Sequence, residues 1–255
     1  MSTICLILLR TRSLKSILMS KGKLYLVPVT LGGDQIEDIV PSLVIKKAIS
    51  LRYFAVENIK IARRYLRKID RNFPIDDCIF FILNKKTEKA EIYPMIDVIL
   101  EGNDLGVMSD AGCPGIADPG AELVAIAHDK GILVKPLVGP SSILLALMGS
   151  GFSGQEFTFH GYLPKDRKDR IKSLKNFEHN TRRRGISNIF MDTPFRNMNV
   201  LDDLLNELAD HTMLCVASDI TMRSENIQTL SIKEWRKRAY DLNKRPTIFI
   251  IGKPQ

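Results

Sequence analysis

Short apolar runs rich in β-branched residues alternate with longer segments of helical periodicity along the chain from Lys23 onward. This alternation is typical of an α/β fold with a mostly parallel sheet, because parallel strands are joined by long crossovers that are usually helices. In the first half, strands are predicted over residues 23–29, 53–56, 78–83, 105–108 and 133–137. Helices are predicted between them over residues 41–50, 59–69, 93–101 and 120–130.

The second half continues the alternation after a helix predicted over residues 141–148. Its strands are predicted over residues 156–160, 187–191, 213–218, 227–230 and 247–251, and its helices over residues 165–179, 195–208 and 232–240. The small-residue stretch 149–154 is interpreted as a flexible linker that marks the boundary between the two halves. We predict a poorly ordered N-terminal extension over residues 1–20 and two α/β domains, residues 21–138 and 139–255.

The composition excludes several classes of protein. Of 255 residues, 45% are hydrophobic and 26% are charged, which is typical of a globular protein and not of a disordered one. The longest unbroken apolar runs hold six residues, whereas a membrane-spanning helix needs about 20. The four cysteines form no C-x-x-C pair and have no histidine at a ligand spacing. We therefore expect no disulfide framework, no metal site and a location in the reducing cytoplasm.

The richest segment is a loop between a predicted strand and a predicted helix. It reads Ser109-Asp-Ala-Gly-Cys-Pro-Gly-Ile-Ala-Asp-Pro-Gly120. Glycine allows close approach, proline restricts the path, and a short carboxylate accepts hydrogen bonds. Because open α/β sheets bind ligands at the carboxyl ends of their strands, this loop is a candidate binding site. The alternative is an ordinary crossover in which Asp118 caps the following helix.

Two further loops, residues 28–33 and 139–142, also follow predicted strands. We expect the three loops to face one cleft and to form a small-molecule site built from backbone groups, without a metal. Residues 149–154 match the G-x-G-x-x-G string of dinucleotide sites. A helix precedes that string and a strand follows it, which is the reverse of the order that a dinucleotide site needs.

Four segments carry a resemblance to a known family. They are Gly22-Lys-Leu-Tyr-Leu-Val-Pro28, Ser109-Asp-Ala-Gly-Cys-Pro114 with Asp118-Pro-Gly120, Pro136-Leu-Val-Gly-Pro-Ser-Ser142 and Phe159-His-Gly-Tyr-Leu-Pro164. With these segments the chain resembles the tetrapyrrole methylase family of S-adenosylmethionine-dependent methyltransferases. More narrowly, it is similar to the branch that methylates the ribose 2′-hydroxyl of a cytidine in small-subunit (16S) ribosomal RNA. The resemblance covers residues 22–254.

The resemblance implies two α/β domains with the cofactor cleft between them, S-adenosyl-L-methionine as the methyl donor, no metal, and a homodimer. The residues that it implies for donor binding are Pro28, Asp110, Ala111, Gly112, Ser141, Ser142, Met191 and Ala217. Methyl transfer from a sulfonium is an in-line displacement, so the collinear placement of nucleophile and methyl group does most of what is required.

The acceptor side departs from the usual pattern of this branch at three places. Glu57-Asn-Ile-Lys60 stands for an acidic pair followed by Thr-Arg-His, Met191-Asp-Thr-Pro-Phe-Arg196 for Tyr-Glu-Ser-Pro-His-Arg, and Ser218-Asp-Ile-Thr-Met222 for Arg-Glu-Leu-Thr-Lys. A ribose hydroxyl is a poor nucleophile until a base takes its proton. Glu57, Asp110 and Asp192 are candidate catalytic residues, and the sequence does not choose between them.

A basic stretch in the second half indicates an RNA partner. Its candidate RNA-binding residues are Lys165, Arg167, Lys168 and Arg170, and the formal net charge of the chain is +8. The alternative is a solvated helix face, because acidic residues are interleaved with the basic ones. The predicted function is methylation of a ribosomal RNA ribose. The alternatives are methylation of a tetrapyrrole or other small acceptor, and a catalytically weakened protein that binds RNA or cofactor.

Overall fold

The computed structural model describes residues 20–33 and 35–254, which fall into two compact units. The first unit contains residues 20–30 and 36–139, and the second contains residues 31–33, 35 and 140–254. Of the extension predicted over residues 1–20, all but Ser20 lies outside the described residues.

A five-stranded sheet in which every pairing is parallel forms the centre of the first unit. Its strands are β1 (Lys23–Leu26), β2 (Tyr53–Val56), β3 (Ile79–Ile82), β4 (Leu105–Met108) and β5 (Leu133–Pro136). The helices are α1 (Ser42–Ser50), α2 (Ile59–Ile69), α3 (Lys89–Leu100) and α4 (Ala121–Asp129), with a 3₁₀ helix at Ile75–Asp77. The strand order is β3-β2-β4-β1-β5, so β4, β1 and β5 are neighbours.

The first unit has a hydrophobic core on each face of its sheet. Tyr25 and Phe54 pack in one core with residues of α1 and α2, whereas Leu24 and Leu105 pack in the other with residues of α3 and α4. Consecutive strand residues point to opposite faces, which is why apolar residues follow one another without alternation in these strands. The predicted α/β class is confirmed.

The second unit contains a five-stranded mixed sheet. Its strands are β6 (Phe157–Tyr162), β7 (Ser187–Met191), β8 (Met213–Ser218), β9 (Asn226–Ser231) and β10 (Thr247–Gly252). Its helices are α5 (Ser142–Ser150), α6 (Arg167–Arg184), α7 (Asn197–Glu207) and α8 (Ile232–Trp235). The strand order is β6-β7-β10-β8-β9.

The prediction of a mostly parallel sheet is wrong for this unit. Among its described strands, only β6 and β7 pair in parallel, and the other three pairings are antiparallel. Residues 219–225 connect β8 to β9 and are too few to form the crossover that a parallel pair requires. The last strand, β10, then lies between β7 and β8 and runs opposite to both.

Helices cover both faces of the second sheet. Leu174 of α6 and Leu204 of α7 pack in one core with the fully buried Trp235, whose Nε1 donates a hydrogen bond of 2.9 Å to the carbonyl of Leu214. Ile143 of α5 packs in the other core, against β7, β8 and β10. None of the helices that the structure describes is both long and apolar enough to cross a membrane.

Several predicted boundaries move for identifiable reasons. Helix α3 begins at Lys89 because Glu88 and Glu91 form a capping box ahead of the predicted start. Helix α6 begins after Asp166, whose carboxylate accepts hydrogen bonds from the backbone N–H groups of Lys168 and Asp169.

Residues 149–154 are not the boundary between the halves, because they end α5 inside the second unit. A helix precedes them and a strand follows, as expected for a segment that is not a dinucleotide turn.

Candidate active site

Backbone contacts hold together the three loops that follow β4, β1 and β5. The N–H of Val29 donates to the carbonyl of Gly112 at 2.9 Å, and the N–H of Gly112 donates to the carbonyl of Thr30 at 3.3 Å. A Cβ atom added at Gly139 would lie 2.1 Å from Cβ of Pro28, so this approach requires glycine. The first-unit parts of the three loops therefore lie together at one edge of the first sheet.

The loop over residues 109–120 has an unusual backbone. The residues with positive φ are Gly112, Gly115, Ala117 and Gly120, at 69°, 82°, 63° and 135°. Strained conformations of this kind, as at Ala117, persist where the surrounding structure holds them and are common at functional sites. Asp118 does not cap α4, since Gly120 occupies the N-cap position without a side-chain bond. The capping alternative for Asp118 is therefore wrong.

Three carboxylates and one lysine interact at this edge of the first sheet. Glu57 follows β2, Asp110 and Asp118 follow β4, and Lys85 follows β3. Burial raises the pKa of Glu57 to about 7, with further increases from the negative charges of Asp118 and Asp110 and a decrease from Lys85. Its Oε1 atom is buried and has no hydrogen-bond partner among the described residues. Glu57 is therefore a carboxylate that titrates near neutral pH.

The two aspartates of this loop have raised pKa values as well. Burial raises the pKa of Asp110, although its side chain reaches the surface. Burial also raises the pKa of Asp118, while Lys85 and a hydrogen bond from Ser109 lower it. The sequence analysis named neither Asp118 nor Lys85 as a site residue. Lys85 lies in the loop that follows β3 of the same sheet. This position is the signal that could have identified it.

A cavity of about 130 Å³ lies beside Asp110 within the first unit. Thr30, Ser109 and Asp110 line it from the loops, and Tyr65 lines it from α2. Burial raises the pKa of Tyr65 to about 12, so its hydroxyl stays protonated. Pro28 and Gly112 are buried, whereas Asp110 and Ala111 are exposed. Asp110 and Ala111 are thus the members of the predicted donor set in this unit that can touch a ligand directly.

The predicted donor contacts in the second unit differ in accessibility. Ser141 is the N-cap residue of α5 and Ser142 its first residue, and both are partly exposed. Met191, at the end of β7, is partly exposed as well. Ala217 is fully buried in β8, paired on both sides with β9 and β10. The side chain of Ala217 faces the core, and its contact with the donor stays a prediction.

Asp192 directly follows β7 and is buried. Its Oδ1 atom accepts hydrogen bonds from the backbone N–H of Thr193 at 2.6 Å and from Nε of Arg196 at 2.8 Å. Its Oδ2 atom is buried and has no hydrogen-bond partner among the described residues. The ion pair with Arg196 fixes the position of the Asp192 carboxylate.

The four predicted RNA-binding residues divide into two kinds. Lys165, Arg167 and Lys168 are exposed. Arg170 is buried, and its guanidinium binds Oδ2 of Asp203 at 2.7 and 2.8 Å. The prediction that Arg170 contacts RNA is corrected here, because the arginine lies on the same helix face as buried Leu174 and supports the packing of α6 on α7.

Two residues noted in the sequence have structural roles. Nε2 of His160 lies 2.8 Å from Oδ1 of Asn188, and its ring stacks on Phe177 at 3.9 Å between centroids. Asn58, at a position where the resembled branch has a second acid, caps α2 by accepting hydrogen bonds from Lys60 and Ile61. Among the described residues, no group of three or more His, Cys, Asp or Glu residues could hold a metal ion.

The chain is similar to named proteins in sequence and in fold. No protein-family model matches the chain. The ribosomal RNA small subunit methyltransferase I of Vibrio cholerae serotype O1 is 31% identical over 216 residues, which are 83% of this chain and 69% of that protein. The chain belongs to the ribosomal RNA small subunit methyltransferase I family. The family member from Escherichia coli O157:H7 is 29% identical over 236 residues, 91% of this chain and 78% of that protein.

Solved structures agree with the fold of this family member. The methyltransferase CobJ superposes with a TM-score of 0.61 and 17% identity over 91% of this chain and 94% of the other. The cobalt precorrin-4 methyltransferase CbiF superposes with a TM-score of 0.57 and 14% identity over 90% and 94%. The tetrapyrrole methylase fold is thereby confirmed. With its named relatives, it identifies the chain as a methyltransferase.

Proposed function

We propose that this chain transfers a methyl group from S-adenosylmethionine to a ribose 2′-hydroxyl of small-subunit ribosomal RNA. The names of its relatives support the RNA acceptor. The observation that carries the chemistry is the state of Glu57, a partly buried carboxylate with an unpartnered oxygen and a pKa of about 7. The resemblance to tetrapyrrole methylases extends to the fold alone, so a small acceptor is not favoured.

Glu57 suits the role of general base. A base acts best when its pKa lies near the working pH, because enough of it is ionised and it still binds a proton strongly. An ordinary glutamate would be too weak a base to take a proton from a ribose hydroxyl at neutral pH. Burial raises the pKa of Glu57 and so makes it a stronger base, and the negative charges of Asp118 and Asp110 raise the pKa further. Asp192 suits the role less well, because its Oδ1 atom is already occupied by the backbone N–H of Thr193 and by Arg196.

The loops at the edge of the first sheet fit a donor held largely by backbone groups. The linked main chains at Val29, Thr30 and Gly112 fix their positions, and Asp110 presents a carboxylate that can accept hydrogen bonds from hydroxyl or amino groups. When bound, S-adenosylmethionine supplies an electrophilic methyl group on a sulfonium. Ser141, Ser142 and Met191 complete the proposed donor set from the second unit.

The RNA surface that we propose is one face of α6. Positions along this face recur at the three- and four-residue spacing of a single helix side. They are Lys168, Lys172, Lys175, His179, Arg182 and Arg183, and all are exposed. We call this set the basic face. The interleaved acids do not neutralise it, because Asp166 caps the helix and Asp169 lies on its flank. Lys175 is paired with Glu207 of α7 at 2.8 Å. The other exposed lysines and arginines of the face can bind phosphates and release their counterions.

We also propose that the protein acts as a homodimer in the cytoplasm. Helix α5 exposes two apolar side chains one turn apart, Leu144 at 50% and Met148 at 78%, which a second copy would cover. Cys78 and Cys215 form no disulfide among the described residues, which suits a reducing compartment. Light scattering on the purified chain measures the assembly state, and a monomer at micromolar concentration would contradict the dimer.

The test of the proposed function uses S-adenosylmethionine with a labelled methyl group and purified small ribosomal subunits. We expect the label in the RNA, on one ribose 2′-oxygen that mass mapping of nuclease fragments identifies. Calorimetry with S-adenosylhomocysteine provides the control that the donor site is intact. If the donor product binds but the label enters a tetrapyrrole and no RNA, the RNA acceptor is wrong.

A further inference from the structure

A second cavity, of about 310 Å³, lies in the second unit, away from the residues that this unit contributes to the proposed donor set. Its lining comes from the end of α6, the loop before β8 and the end of β10. The residues are Glu178, Thr181, Arg182, Ala209, His211, Thr212, Met213, Gly252, Lys253 and Pro254. Met213 begins β8 and pairs with Gly252 at one end of β10, whereas Met191 and Ser218 pair near the other end of β10. At about 3.3 Å per residue, the five steps from Met213 to Ser218 span roughly 17 Å.

Three side chains at the mouth of this cavity can donate hydrogen bonds, and two of them, Arg182 and Lys253, are positively charged. Arg182, His211 and Lys253 are exposed, and none makes a hydrogen bond or ion pair with the residues that the structure describes. Unpaired cations around a concave surface attract a phosphate, and arginine binds it through two parallel hydrogen bonds. Most other arginines of α6 are committed, since Arg167 and Arg170 bind Asp203 and Arg184 binds Glu156.

The interior of the cavity suits a flat and partly polar group. Ala209, Met213 and Pro254 give it apolar walls. Glu178 is held in place because its Oε1 accepts hydrogen bonds from the backbone N–H of Ala209 and from the hydroxyl of Thr212. A fixed carboxylate repels phosphate but accepts a hydrogen bond from the exocyclic amino group of a base. The volume lies at the lower end of the range for small-ligand sites.

The basic face leads to this cavity. Arg182 belongs to both, and α6, with 18 residues, is about 27 Å long at 1.5 Å per residue. Proteins that read RNA often stack or bind bases that are splayed out of a strand, while the neighbouring phosphates are held by cations. We propose that the cavity binds one unstacked nucleotide of the RNA, with its phosphate at Arg182 and Lys253 and its base against Glu178 and Met213. This inference rests on the proposed RNA substrate.

The test compares charge removal with cavity filling. Arg182→Ala with Lys253→Ala removes the phosphate contacts, and Lys233→Ala with Lys237→Ala removes the same charge from exposed positions elsewhere in the unit. Ala209→Leu fills the cavity without removing a charge, and Ala239→Leu is its control at another exposed alanine. The probe is labelled oligocytidylate of about 12 nucleotides, within the ~4–16 nucleotides that single-strand sites commonly cover. Circular dichroism verifies folding of each variant.

We expect the cavity charge variant to bind at least tenfold more weakly at low salt. Its slope of log affinity against log salt should fall by about 1.4, at roughly 0.7 per phosphate contact of a single strand. Ala209→Leu should weaken binding severalfold with an unchanged slope, and both controls should behave as wild type. If Ala209→Leu binds as its control does, no nucleotide enters the cavity and the inference is wrong.

A second measurement locates the base directly. The wild-type chain is irradiated with an RNA of the same length that carries 4-thiouridine, and the adducts are mapped by mass spectrometry. Adducts within residues 209–213 or 252–254 support the inference, and adducts confined to other segments overturn it. If the wild-type chain methylates small-subunit RNA while the cavity variants bind like their controls, only this inference fails. If the wild-type chain neither binds nor methylates RNA, the proposed function fails first.

Discussion

The two units treat their buried carboxylates in opposite ways. In the first unit, burial raises the pKa of Glu57, and the negative charges of Asp118 and Asp110 raise it further. In the second unit, each of three buried aspartates is paired with an arginine. These pairs are Asp192 with Arg196, Asp203 with Arg170, and Asp219 with Arg245.

This difference distinguishes a carboxylate suited to proton transfer from carboxylates that support the fold. A carboxylate that is destabilised by burial and by like charges can accept and release a proton near neutral pH. A carboxylate paired with an arginine of its own unit serves to fix helices and loops. Because these arginines of the second unit are used internally, its exposed lysines and the exposed Arg182 and Arg183 are the groups that remain for a polyanion such as RNA.

The largest expected effect is on catalysis in the first unit. Glu57→Gln keeps the size and most of the polarity of the side chain but removes the base. We expect the rate of methyl transfer to fall about 100- to 10,000-fold, the range for loss of a general base. Binding of S-adenosylhomocysteine should stay within a few-fold, and single-turnover assays with small-subunit RNA measure the rate. A variant that keeps wild-type activity would remove Glu57 from the mechanism.

The matching effect in the second unit is on stability. Asp203→Ala leaves the buried guanidinium of Arg170 without its partner, which we expect to lower the free energy of unfolding by about 3–5 kcal/mol. The control is Asp76→Ala, whose carboxylate is 82% exposed in its ion pair with Arg63. Its removal should cost less than about 1 kcal/mol. Urea denaturation measures both, and equal losses would mean that burial does not decide the strength of these pairs.

The third prediction concerns pH. If Glu57 is the base, the rate of methyl transfer should rise with pH and level off above an apparent pKa of about 7. The same raised pKa means that the folded chain binds this proton more tightly than the unfolded chain. Stability from this group is therefore fully present below the ordinary pKa of 4.5 and is lost as the pH rises through about 7. Glu57→Gln should remove both dependences, and rate and urea profiles across neutral pH compare them.

The smallest expected effect is at the basic face. Lys168→Ala with Lys172→Ala should leave stability unchanged and reduce the salt slope of RNA binding by about 1.4, for two lost phosphate contacts at roughly 0.7 each. Donor binding should not change. Filter binding at several salt concentrations gives the slope. An unchanged slope and affinity would show that this part of α6 is a solvated surface that does not bind RNA. The exposed cations of the second unit would then have no role in RNA binding at these positions.

The sequence predicts the first unit well because its information is local. Each strand there is a short apolar run, and each ligand loop follows a strand directly, so position along the chain also gives position at the sheet edge. The second sheet is harder, because the place of β10 between β7 and β8 depends on contacts between residues far apart in the chain. No local pattern distinguishes these antiparallel strands from parallel ones.

The site residues divide in the same way. The composition of the loop over residues 109–120 predicts a binding site, and the resemblance implies the roles of Asp110 and Gly112 in it. The raised pKa of Glu57 depends instead on burial and on two aspartates more than 50 positions away in the chain. The burial of Arg170 was available from the sequence, since it shares the four-residue spacing of Leu174. This spacing was missed, because a run of basic residues was interpreted as an exposed surface. Which face of the helix each residue occupies was not considered.

Trp235 gives the molecule a built-in optical label. It is the one tryptophan of the chain, it is fully buried in the second unit, and its indole is fixed by the carbonyl of Leu214. Its emission therefore shifts when the second unit unfolds and is silent about the core of the first. Far-ultraviolet circular dichroism follows both units at once, so denaturation curves recorded by the two signals will coincide only if the units melt together.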